Sequence, residues 1–140
     1  MKKQLLSFVG MLGLLMVAES AFAQHVHVRA NIPFNFTINK NTLPAGQYDV
    51  REIDSAGGHV LAIQSGEGKM GQMFLTNAVS ASASPNKTKL VFTRYGDQYF
   101  LSQIWLEGSD IGRELPKSAR EAELARASAT KKVVVAAALQ

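Results

Sequence analysis

Along most of the chain, apolar and polar positions alternate in short runs broken by turn residues, the signature of antiparallel strands. His25-Val26-His27-Val28-Arg29-Ala30 alternates, and Phe34-Asn35-Phe36-Thr37-Ile38 alternates again after Pro33. A turn cluster, Asn39-Lys40-Asn41-Thr42, and a second turn, Leu43-Pro44-Ala45-Gly46, lead into Gln47-Tyr48-Asp49-Val50-Arg51-Glu52-Ile53. Gly57-Gly58 separates that strand from His59-Val60-Leu61-Ala62-Ile63-Gln64, and a glycine-rich turn precedes Gln72-Met73-Phe74-Leu75-Thr76. The small, polar stretch Ser80 to Asn86 reads as an exposed loop.

The best-specified element is a hairpin. Thr88 to Tyr95 and Gln98 to Leu106 flank Gly96-Asp97, and a two-residue loop with Gly first fits a type II′ turn. That register sets Thr93 opposite Phe100 and Phe92 opposite Leu101. One face then carries Leu90, Phe92, Arg94, Tyr99, Leu101, Gln103 and Trp105; the other carries Val91, Thr93, Phe100, Ser102 and Ile104. A hairpin apolar on both faces is covered on each side or lines a cavity. Further on, Ser118-Ala119-Arg120-Glu121 fits a capping box opening a short Ala-rich helix, Ala119 to Ala127. So short a helix is marginal alone and must dock or fray. The expected fold is mainly β: a single antiparallel sandwich or partly open barrel of about seven strands with a short C-terminal helix. Its core should hold Phe34, Phe36, Tyr48, Val50, Leu61, Ile63, Phe74, Leu90, Phe92, Phe100, Leu101, Ile104 and Trp105.

The ends of the chain read differently. Lys2 and Lys3 precede an apolar run from Leu5 to Ala18, and Ala21-Phe22-Ala23 supplies a small-x-small cleavage pattern. Residues 1–23 therefore read as a secretory signal peptide. Cleavage behind Ala23 would send the chain to the periplasm or the extracellular space, with a β-domain over 24–128. Residues 129–140, an apolar tail, should be disordered or an edge strand. Seven apolar residues, Val133 to Leu139, are too few to span a bilayer, so the mature chain is not expected to be an integral membrane protein.

Composition narrows the function. The chain has no cysteine, which removes thiolate chemistry, zinc ribbons, iron–sulfur ligation and a lipoprotein anchor, and leaves the core to supply stability. Of 15 Lys/Arg and 11 Asp/Glu, Lys2, Lys3 and Glu19 fall in the leader. The remaining positive excess is mild and spread along the chain, whereas a nucleic-acid binder concentrates Lys and Arg on one face. No nucleic-acid partner is expected.

Few motifs carry chemistry. Gly66-Glu67-Gly68-Lys69-Met70-Gly71 spells G-x-G-x-x-G, but a strand pattern follows it where a dinucleotide site needs a helix, so it reads as a turn. His25 and His27, two apart on a strand, would point to one face as a chelating pair, with His59 as a third ligand; an exposed edge strand is the plainer reading. No G-x-S-x-G elbow accompanies the three histidines, and Glu52, Asp54, Glu107 and Asp110 form no singled-out pair. No cofactor is expected. Arg94, Tyr99, Gln103 and Trp105, sharing a face in the register above, would suit a sugar or other small polar ligand; a core aromatic with a snorkelling Arg is the plainer reading.

Four phrases stand out together: Ile32-Pro33-Phe34-Asn35-Phe36, Leu43-Pro44-Ala45-Gly46-Gln47-Tyr48-Asp49-Val50, Arg94-Tyr95-Gly96-Asp97-Gln98-Tyr99-Phe100-Leu101 and Gly112-Arg113-Glu114-Leu115-Pro116-Lys117-Ser118. Over most of residues 28–125 the chain resembles a family of small, uncharacterised bacterial proteins with signal peptides. That resemblance implies export and a shared fold, and transfers no functional residue.

Three function classes follow. The favoured one is an exported non-enzymatic domain that binds or assembles with an envelope or extracellular component. The second is a small-ligand carrier with a barrel mouth lined by Tyr99 and Trp105. The third is a metal-dependent or hydrolytic enzyme.

Overall fold

The computed structural model describes residues 26–53 and 59–140. The leader segment and His25 lie outside the described residues. The chain is mainly β and forms one open, strongly curled half-barrel sheet with a short C-terminal helix. Among the described residues the strands are β1 (His27–Ile32), β2 (Phe36–Ile38), β3 (Asn41–Leu43), β4 (Gly46–Glu52), β5 (Val60–Ser65), β6 (Gly71–Leu75), β7 (Asn77–Ser80), β8 (Lys89–Tyr95), β9 (Gln98–Trp105), β10 (Ile111–Glu114) and β11 (Thr130–Leu139). The helix α1 spans Ala119–Ala127. Four strands are added to the seven expected: β11, which the tail forms, and β3, β7 and β10, which have only three or four residues each. Alternation that short is not visible in a sequence; pairing with a neighbour makes these segments strands.

The main sheet order is β3-β2-β9-β8-β11-β1-β4-β5-β6, with β10 beside β9 and β7 beside β10. Two strands turn the corners of the curl. β6 pairs with β5, and after Thr76 the chain continues as β7, which pairs with β10. β11 pairs with β8 over Thr130 to Ala136 and with β1 over Ala137 to Leu139. The tail is thus a strand that joins two neighbours in succession. Its small residues, Ala136 to Ala138, sit where it passes from one neighbour to the other.

The concave side is filled. Val28, Ile32, Val50, Leu61, Ile63, Leu90 and Phe92 are fully buried in one apolar cluster with Phe36, Tyr48, Phe74, Leu101, Ile104 and Val135. Edge-to-face contacts lock its aromatics: Phe36 lies 5.1 Å from Tyr48 and 5.6 Å from Phe92. Every residue expected in the core is buried except Phe34, which is half-buried at its margin.

The hairpin register is as expected near the turn. Phe92 pairs with Leu101, Thr93 with Phe100 and Arg94 with Tyr99, and Gly96 takes the positive φ (60°) that a Gly-first loop needs. Farther from the turn, however, Val91 pairs with Gln103, which leaves Ser102 as an extra residue in a β-bulge. One inserted residue exchanges the two sides of a strand. Ile104 therefore joins Leu90, Phe92 and Leu101 in the core, while Gln103 and Trp105 turn to the convex side with Val91, Thr93, Tyr95 and Phe100.

That convex side is covered too. Ser118 caps α1 as expected, accepting from the Glu121 N–H at 3.2 Å. The Glu121 side chain is buried and accepts from the Tyr95 hydroxyl at 3.0 Å, and Arg120 Nη2 donates to Gln98 Oε1 at 3.1 Å. These bonds dock the helix on β8 and β9. At the other end of β9, a Cβ at Gly112 of β10 would meet the Trp105 indole at 2.7 Å, so this step of β10 must be glycine for the ring to lie on it.

Candidate ligand-binding site

The bulge decides the fate of the four candidate ligand residues. Arg94 and Tyr99 lie on the concave side at the turn end of the hairpin; Gln103 and Trp105 lie on the convex side. The four share no surface, so a mouth lined by both Tyr99 and Trp105 is not formed. Trp105 is buried and donates from Nε1 to Gln103 Oε1 at 3.0 Å, which together with Gly112 makes it a packing residue. Only Ser102, a polar residue within an apolar run, marks the bulge in the sequence.

Arg94 and Tyr99 remain together and gain a partner. Phe34 stacks on Tyr99 with ring centres 3.8 Å apart and planes 17° apart, and meets Phe92 edge-on at 4.9 Å. The Arg94 guanidinium lies 5.6 Å from the centre of the Tyr99 ring, and its Nε donates to the Gly96 carbonyl at 2.6 Å. Phe34 and Tyr99 are both half-buried, so this rim offers an aromatic surface next to a cation. Phe34 was expected in the core and lies at its margin instead. Its stacking on Tyr99 was not legible, because it follows from the parallel pairing of β2 with β9, Thr37 opposite Phe100.

A cleft of about 470 Å³ opens between Pro44 to Tyr48 and Ser65 to Met70, the latter including part of the glycine-rich motif. The motif is a turn, as expected. Its Gly66 N–H donates to the Gln47 carbonyl, Gly68 N–H to the Ser65 carbonyl and Met70 N–H to Ser65 Oγ. With those donors engaged inside the chain, the loop is not a phosphate cradle.

The two described histidines, His27 and His59, have different partners. His27 is exposed on β1, directly opposite Arg51 of β4. His59 Nδ1 faces Arg113 Nη2 at 3.3 Å, and Arg113 also donates to Thr76 Oγ1 (2.9 Å) and to the Thr76 carbonyl (3.1 Å). The sequence offered His59 as a metal ligand; here it belongs to a latch that holds β10 to the β6–β7 corner. Among the described residues no group of three or more His, Asp or Glu is arranged to hold a metal ion.

Under α1 lies a polar network that the sequence did not reveal. Burial pushes the Tyr95 hydroxyl up to about 12, aided by its bond to Glu121. Burial likewise raises the Glu121 carboxyl, against the opposing pull of Tyr95, Lys117 and Lys132. Lys132 Nζ donates to Thr93 Oγ1 at 2.8 Å, and the Thr93 and Ser102 hydroxyls are hydrogen-bonded. The signal for Glu121 was its capping-box position, which proved to do half of the expected work: its N–H is capped, and its carboxylate serves Tyr95.

No helix among the described residues is long and apolar enough to cross a membrane. The chain matches no family model, no curated protein and no solved structure.

Proposed function

We propose that the chain is an exported, non-enzymatic β-domain that binds or assembles with another component of the cell envelope. One observation carries this: the convex side of β5 and β6 is an uncovered apolar stripe. Met73 and Leu75 are 63% and 65% exposed, next to half-buried Val60 and Ala62. Ile53, 48% exposed, donates from its N–H to the Val60 carbonyl and extends the stripe. On a folded surface such a stripe suits a partner that removes it from water. The filled concave side supports the same view, since cargo held inside would need the volume the core occupies. Export is supported by Lys2, Lys3, the apolar run and Ala21-Phe22-Ala23.

The test is fractionation of a bacterial host that produces the chain. The protein should be recovered starting at Gln24 and should sediment with the envelope, while Leu75→Lys should stay in the soluble exported fraction with an unchanged melting curve. Full-length protein in the cytosol, or identical partition of the two forms, would overturn the proposal.

A further inference from the structure

The inner face of β11, β8 and β9 is built in rows. Directly paired residues of adjacent strands share a face. Val133, Phe92 and Leu101 make one row, and all three belong to or pack against the buried core. One step toward the hairpin turn, the next row is Lys131, Arg94 and Tyr99. This row therefore lies on the concave side, just past the margin of the core, where Phe34 stacks on Tyr99.

Two cations directly opposite each other on neighbouring strands repel. The chain does little to offset that. The Arg94 Nη2 contact with Asp97 Oδ1 is 4.0 Å long, and the Asp97 side chain is fully exposed. Such a pair is worth little in water. Lys131 has no ion pair among the described residues. The row thus holds two cations poised for a shared anion, with a half-buried aromatic pair alongside.

We infer that this rim binds an acidic sugar, a hydroxylated ring bearing a carboxylate or a phosphate ester. The oxyanion bridges Lys131 and Arg94 and cancels the repulsion between them. The C–H groups of the ring lie against the exposed edge of the stacked Phe34–Tyr99 pair. Both contacts are needed: the cations supply charge recognition, and the aromatic pair separates a sugar from a bare anion. The inference rests on reading the chain as a binding domain, and names a ligand class for it.

Calorimetric titration of the chain beginning at Gln24 tests it, at constant ionic strength, with glucuronate, glucose 6-phosphate, glucose and inorganic phosphate as probes. Both acidic sugars should bind; glucose and inorganic phosphate should bind at least about ten-fold more weakly. Lys131→Gln should weaken the acidic sugars about ten-fold and leave or raise the melting temperature, because it removes a repulsion. Tyr99→Leu should lower the preference for glucose 6-phosphate over inorganic phosphate. Absence of heat with both acidic sugars, unchanged binding by Lys131→Gln, or inorganic phosphate binding as tightly as glucose 6-phosphate would each overturn the inference. If the chain still sediments with the envelope through Leu75 while the acidic sugars give no heat, the rim inference fails and the binding-domain proposal stands.

Discussion

The hairpins β8–β9 and β5–β6 are both apolar on two sides, yet only one of them is covered on both. Each buries its concave side in the same core, through Leu90, Phe92 and Leu101 in one and Leu61, Ile63 and Phe74 in the other. On the convex side of β8–β9, Tyr95 lies under α1, Phe100 packs edge-on to Tyr95, and Trp105 folds over Gly112 of the neighbouring strand β10, so all three are buried. On the convex side of β5–β6, Met73 and Leu75 meet solvent. The difference teaches that hydrophobicity alone does not bury a strand face. Something must be brought over it, and among the described residues that happens at β8–β9 and not at β5–β6.

That contrast can be pressed hardest in the shared core. Phe92→Ala should cost about 3–5 kcal/mol, close to the whole stability of a small domain. An unchanged urea midpoint would refute the core assignment. The convex side of β9 comes next. Gly112→Ala must displace the Trp105 ring and should cost about 1–3 kcal/mol. The fluorescence of Trp105 should shift toward that of an exposed indole, and an unaltered spectrum would show that the ring does not rest on this glycine.

The docking of α1 has a pH signature. Folded Glu121 keeps its proton to a higher pH than it does in the unfolded chain, because burial raises it. Stability should therefore fall as pH climbs from the ordinary glutamate range to the folded value, then level off. Glu121→Gln should flatten that step while still accepting from Tyr95, as thermal melts across pH would register. The smallest effect belongs to the uncovered side: Leu75→Ser should change stability by no more than about 0.5 kcal/mol. A loss as large as that of Phe92→Ala would mean the stripe is covered in the folded chain.

Much of β8–β9 and α1 was legible because their signals are local. Gly96-Asp97 defines the loop and its register, and Ser118 with Glu121 defines the helix start. The candidate site fared worse. Arg94 and Tyr99 stayed together because they pair next to the turn, where the register is set. Gln103 and Trp105 were lost because the Ser102 bulge lies between them and the turn. Lys131 could not be seen at all, since its place opposite Arg94 depends on a strand that returns from thirty-odd residues away.

By itself, then, the chain order of residues determined its strand-forming runs, its turns and its helix cap, all of which act within a few residues. The tertiary structure alone decided which apolar face is covered, where the bulge falls, that the tail joins two neighbours, and that two cations confront each other at the rim. Those outcomes depend on contacts between segments far apart in the chain, whose energies are settled only when the whole sheet has curled.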